Sequence, residues 1–212
     1  MITNYFKVAW RNLKRNKGYA FINVLGLSLG IACCMTIFTL VSYHLSFDQF
    51  HKNKERIYRV VTEWHDEEVD HSQAVPTPLG EAFRNDFAYT DQTARVVDYG
   101  NILVSIHEGK NIKKFQEEEG VTYAEPGYFE IFNFPLSKGN KADILSKPDE
   151  AVITEKVAGK YFGNANDFVW NTIRLNHKTE FIVTGILKDI HANTDRKQEI
   201  HLPFPNLIDQ HN

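Results

Sequence analysis

The spacing of hydrophobic and polar positions changes three times along the chain. Over residues 2–16, Ile2, Tyr5, Phe6, Ala9, Trp10 and Leu13 recur at i, i+3/i+4 intervals, with Asn4, Lys7, Arg11, Asn12, Lys14 and Arg15 between them. One apolar stripe opposite a basic face predicts an amphipathic helix suited to a headgroup layer. From Phe21 to Tyr43 the residues are apolar on every side of a helix. At roughly 1.5 Å per residue that run reaches about 34 Å, more than a hydrocarbon core of about 30 Å. Tyr19 and Tyr43 stand near its ends, where aromatic rings favour the interface. Beyond Asp48 the pattern breaks into short segments of alternating period.

Those segments predict an α+β body. Arg56–Thr62 reads as a strand, and Thr77-Pro78 as an N-cap before a helix carrying Leu79, Ala82, Phe83 and Phe87 on one face. Ile102–Ile106 and Val121–Ala124 read as strands, and Pro126–Phe132 as a brief helix. Ala151–Ile153 leads through an N-capping Thr154 into a helix with Val157, Ala158, Tyr161 and Phe162 on one face, stopping at Gly163. Thr172–Leu175 and Glu180–Leu187 form a hairpin through residues 176–179. The residues after Leu187 read as a polar stretch.

Charge sharpens the division. Residues 1–17 hold five basic groups (Lys7, Arg11, Lys14, Arg15, Lys17) and no acid, and residues 18–47 hold no Asp, Glu, Lys or Arg. The rest holds the other 19 of 24 Lys and Arg and all 27 Asp and Glu, a net charge of −8. By the positive-inside rule the N-terminus faces the cytoplasm, and residues 48–212 are periplasmic or extracellular. The apolar run is longer than a signal peptide's and lacks a small-x-small site at its far end, so it reads as an uncleaved anchor. Three parts result: an interfacial helix at 1–17, a membrane helix at 18–47 and an external domain at 48–212. Membrane lipid is the first expected partner, contacted by Tyr5, Phe6, Lys7, Trp10, Arg11, Lys14, Arg15 and Lys17. A net charge of −3 for the chain gives no reason to expect nucleic acid.

Candidate chemistry is sparse. Gly26-Leu27-Ser28-Leu29-Gly30 matches a serine-hydrolase elbow, but that motif needs a strand, a turn and an accessible Ser, not the middle of a membrane helix. The same residues form Gly26-x-x-x-Gly30, which with Asn23 lets a second helix approach. Cys33 and Cys34 are adjacent, which disfavours a disulfide, and read as buried thiols. The loop His65–His71 carries metal-ligand types without a ligand spacing and reads as solvated, as does Glu117-Glu118-Glu119. No P-loop occurs, so this chain is not a P-loop ATPase. No catalytic residue, cofactor or metal site is assigned, and no enzyme activity is expected.

Several blocks together resemble a known family: NYFKVAWRNLKRNKGYAFINVLGLSLGIA, SFDQFHKNKERIYRVV, TYAEPGYFEIFNFPLSKGN, ILSKPDEAVITEKVAGKYFG and FIVTGILKDI. In this order they are similar to ABC-transporter permeases of the FtsX/MacB type, covering the first membrane helix and the MacB-like periplasmic core domain. The resemblance implies an inner-membrane permease subunit that couples ATP hydrolysis by a separate cytoplasmic ABC ATPase to periplasmic motion, for export or extraction of a substrate. It also implies pairing with a second permease subunit, as homo- or heterodimer, and a periplasmic adaptor. ATP is then expected only on the partner ATPase. The implied domain has two lobes, a porter-like lobe and one inserted at residues 99–148. Two departures stand out: Phe168-Val169-Trp170-Asn171 replaces the family's Pro-(Ile/Leu)-Gly-Lys turn, and His191-Ala192-Asn193-Thr194 replaces Pro-x-Asn-Ser-His. The family also carries at least three further membrane helices after the domain, and none follows Leu187, so a truncated, N-terminal part of a permease is expected. The alternative from the pattern alone is a single-pass anchored sensor or binding module.

Overall fold

The structure is a computed structural model that describes residues 2–65, 69–88, 90–163 and 169–209, without the side chains of residues 2, 3, 6, 142, 208 and 209. The chain divides into two compact units, Met1–Phe47 and Asp48–Asn212.

The first unit is helical. Helix α1 spans Ile2–Arg15 and α2 spans Lys17–Leu45, with Asn16 between them in a non-helical conformation (φ −112°, ψ 61°). No residue of α2 is buried by protein, as expected of a helix whose solvent is lipid. Three of its hydroxyls are satisfied internally: Ser28 donates to Leu25 O at 2.9 Å, Thr36 to Ala32 O at 2.9 Å and Thr39 to Met35 O at 2.8 Å. Those three hydroxyls therefore need no partner from the surrounding hydrocarbon. Ser28 thus lies mid-helix, far from any elbow geometry. Cys33 and Cys34 are free and, contrary to the expectation of burial, exposed, because no second helix of the described chain packs on them.

The second unit is built on a mixed nine-stranded sheet. A short 3-10 turn at Lys54–Arg56 occupies the start of the strand expected at 56–62, and pairing begins only at β1, Thr62–His65, against β2, Val69–Ser72. Helix α3 runs Leu79–Asp86. Its N-cap position is Pro78, not Thr77, and no side chain caps it; instead Leu79 N donates to Pro76 O at 3.0 Å. Then follow β3 (Val96–Tyr99), β4 (Ile102–Glu108), β5 (Asn111–Glu117), β6 (Val121–Ala124), α4 (Gly127–Phe132), β7 (Leu136–Lys138), β8 (Glu150–Thr154), α5 (Glu155–Phe162), β9 (Thr172–Leu175), β10 (Thr179–Leu187), β11 (Ile200–Pro203) and α6 (Pro205–Asp209). The strand order is β3-β6-β11-β8-β10-β9-β4-β5, with β7 added beside the far end of β10. Residues 99–148, expected as an inserted lobe, supply β4, β5, β6 and β7 to this one sheet.

Alternation along the strands builds two cores. On β8, Ala151 and Ile153 face one layer with Val157, Ala158 and Tyr161 of α5, while Val152 faces the other with Tyr128 and Phe129 of α4. The capping of α5 is as the sequence implies: Thr154 Oγ1 accepts from Val157 N at 3.3 Å, and Gly163 closes the helix at φ 71°. The β9–β10 turn places Asn176 and His177 at φ 47° and 61°, and Lys178 N donates to Leu175 O at 2.9 Å, a type I′ arrangement that suits the twist of a hairpin. Gly139 is required at its site. It sits at φ 101°, and a Cβ there would fall 2.6 Å from Thr184 O.

Candidate functional site

Residues 48–51 follow α2 after a two-residue turn and are held by two loops of the body. Asp48 N donates to Asn193 O at 3.1 Å, its Oδ1 accepts from Thr194 Oγ1, and its Oδ2 accepts from Asp195 N at 3.4 Å. His51, buried, donates from Nδ1 to Phe132 O at 2.7 Å, which places the ring proton on Nδ1. Its Nε2 lies 3.7 Å from Asp48 Oδ1. Phe50 packs its ring on both His51 and His191, at centroid distances of 4.1 and 4.4 Å. Arg196 completes the clamp, 3.1 Å from Asp98 Oδ2 and over the Phe132 ring. The sequence offered a signal for this cluster, the polar SFDQFH segment at the end of the apolar run, but no local pattern pairs it with residues 191–196.

Behind the clamp lies an aromatic layer. His201, in the middle of the sheet, is fully buried among Tyr128, Phe129 and Phe134. Neither ring nitrogen has a hydrogen-bond partner of ordinary geometry. Burial, helped by the Arg196 charge, drives its pKa down to about 3 against an opposing pull from the Val152 backbone, so the ring is neutral. Burial likewise pushes the Tyr128 phenol up.

A second electrostatic joint ties α3 to the sheet. Glu125 accepts from Arg84 Nη1 at 2.7 Å, from Arg95 Nη2 at 2.7 Å and Nε at 2.9 Å, and from Arg95 N at 2.9 Å. Burial alone would raise its pKa, but the hydrogen bonds from Arg84 and Arg95 outweigh it and hold the carboxylate below its ordinary range. Gly80 makes room for this network, since a Cβ there would meet Arg95 Cγ at 2.5 Å.

The residues expected to meet lipid or another helix lie in the first unit. Tyr5 and Trp10 are exposed on α1, and Lys14 Nζ sits 5.4 Å from the Trp10 ring centroid. Lys7, Arg11, Arg15 and Lys17 are exposed too, while the side chain of Phe6 lies outside the described residues. Trp10, Leu13, Ala20, Phe21 and Val24 line a groove of about 420 Å³ between α1 and α2. Asn23, Gly26 and Gly30 lie along α2, and nothing stands within 4 Å of a Cβ placed on either glycine. Of the acidic loop between β1 and β2, residues 66–68 lie outside the described residues. Among the described residues no group of three or more His, Cys, Asp or Glu is placed to hold a metal.

Among the described residues one helix, Lys17–Leu45, is long and apolar enough to cross a membrane. The profile of the MacB-like periplasmic core domain family matches residues 20–211, and the chain belongs to that family. A domain assigned to a permease protein of Porphyromonas gingivalis has the same fold at 18% identity and TM-score 0.54, over 65% of this chain and 56% of that one. The periplasmic region of MacB from Actinobacillus actinomycetemcomitans aligns at 15% identity and TM-score 0.45, over 62% of this chain and 57% of that one. The extracellular domain of YknZ, a noncanonic ABC-type transporter from Gram-positive bacteria, aligns at 18% identity and TM-score 0.41, over 62% and 66%. The chain therefore spans only about half to two thirds of these relatives. No curated protein matches it.

Proposed function

We propose that this chain is the N-terminal part of an ABC-type permease, anchored in the inner membrane by α2 with α1 on the cytoplasmic surface and residues 48–212 outside. A separate cytoplasmic ABC ATPase binds the ATP, and a second permease subunit packs against the α2 face carrying Asn23, Gly26 and Gly30. The single observation that carries this reading is the clamp at Asp48 and His51. Asp48 to His51, the first residues of the external domain, are fixed by hydrogen bonds and ring contacts to residues 191–195 and to Phe132 at the end of α4 of a MacB-like domain, so motion reaching that segment is passed to those parts of the domain. A binding module on a passive tether has no use for such a joint.

The test is capture of the intact chain from native membranes. A P-loop ATPase should co-purify, and Asp48→Ala should keep that partner while reducing ATP-dependent export activity of the assembled system. Recovery of a cytoplasmic signalling protein in place of an ATPase would overturn the reading in favour of a sensor.

A further inference from the structure

Just before β9, Trp170 combines two features that oppose stability. Its backbone is in the left-handed region, φ 75°, where glycine is the favoured residue. Its indole is 73% exposed, so burial does not compensate the strain. The position is also pinned: Trp170 N donates to Val183 O at 2.7 Å, and Val183 N donates to Asn171 O at 2.8 Å. The ring is therefore presented from a fixed backbone, and strain kept on an exposed, rigidly held side chain points to function.

Trp170 forms one wall of an open groove of about 510 Å³, within the size range of small-ligand sites. Ile106 and Phe162 supply further apolar lining, and His107, Asn171, Arg174 and Glu180 supply donors and acceptors. The charges are matched in place: Arg174 Nε donates to Glu180 Oε1 at 2.9 Å, and Glu108 pairs with Lys113 at 2.7 Å. Such a groove has little to offer a strongly charged ligand. A flat aromatic wall beside paired polar groups suits a neutral ligand with one apolar face and a hydroxyl-bearing edge. We propose that this groove binds a pyranose ring of a neutral glycan, whose C–H face stacks on Trp170 while its hydroxyls bond to Arg174, Glu180 and Asn171.

The chain holds three Trp, so the test uses the full chain with Trp10→Phe and Trp64→Phe, in a detergent without a sugar headgroup, leaving Trp170 as the sole tryptophan, excited at a wavelength that tyrosine does not absorb. Chitotetraose and maltotetraose are titrated as probes, with tetralysine as the cationic comparison. Saturable quenching or blue shift is expected with at least one oligosaccharide and not with tetralysine. In the chain with all other Trp retained, Trp170→Gly should weaken that binding about tenfold or more by saturation-transfer NMR, while the thermal midpoint does not fall. Trp170→Tyr should retain part of the affinity. Binding of neither oligosaccharide, binding unchanged in Trp170→Gly, or preference for tetralysine would each overturn the proposal. A lowered midpoint in Trp170→Gly would assign the indole to packing and overturn it as well.

Discussion

Residues 52–101 and residues 102–204 carry similar apolar material and use it differently. The first stretch includes Tyr58, Val60, Val61, Trp64, Val69, Phe83 and Phe87, yet none of its described side chains is buried. Among the described residues, all the buried hydrophobic side chains lie between Ile102 and Phe204. The difference is layering. The strands of the second stretch join one sheet, most of them with neighbours on both edges, and α4 and α5 cover its faces, whereas β1 and β2 pair only with each other. A two-stranded hairpin cannot shield its own faces, so its valines and tryptophan stay wet. The first stretch joins the second through β3, which pairs with β6 at the edge of the sheet, and α3 is tied to that edge by Glu125 with Arg84 and Arg95. Apolar composition alone does not make a core; a second layer does.

The comparison is tested most severely by matched truncations. Phe181→Ala, at a fully buried site, should cost about 3–5 kcal/mol in denaturant unfolding, and Phe83→Ala in α3 about 1 kcal/mol or less. Equal costs would erase the distinction. Next in size is a pH effect confined to the sheet. His201 is neutral with a pKa of about 3 against an ordinary 6.5, so the unfolded chain takes up a proton that the folded chain refuses. Stability should fall as pH drops from 6.5 towards 3, by up to about 1.4 kcal/mol per unit, and His201→Leu should flatten that slope. In the other region, Glu125→Ala should cost about 2 kcal/mol, read as faster hydrogen exchange over residues 79–95 with β8 and β10 still protected. The Glu125 carboxylate is held below 4.5, so its contribution is complete above that pH and is lost as pH falls through its lowered value. Smallest is Asp48→Ala, at about 1 kcal/mol, with exchange rising over residues 190–196 and the sheet unchanged.

Where a segment carried its own local signal, the sequence was enough. Thr154 and Gly163 bracket α5, Asn176 and His177 make the β9–β10 turn, and the uncharged run before Phe47 defines α2. Three kinds of position escaped. β5, NIKKFQE, lies at the sheet edge with Lys113 and Lys114 outward, so its polar content hid a strand whose charges discourage further pairing. β11, IHLP, is four residues with a histidine and a proline, which read as coil. It is a central strand because neighbours on both sides bury it, and Pro203, at its end, gives up little of the ladder. The strand expected at 56–62 had the propensity but lacks a partner before Thr62 among the described residues. The clamp was half legible: Asp48 and His51 could be seen as polar residues beside a membrane helix, but residues 191–196 reach them only through the fold.

The place of β11 has a consequence for biosynthesis. It lies between β6 and β8, strands made some 50 to 80 residues earlier, and nothing else in the strand order joins them directly. During translation α2 leaves the ribosome first, and the two flanks of the body must wait as open-edged sheets until residues 200–203 emerge. A pause before that point would leave both flanks with exposed ladders, so this domain's dependence on holding chaperones should be greatest until residues 200–203 have emerged.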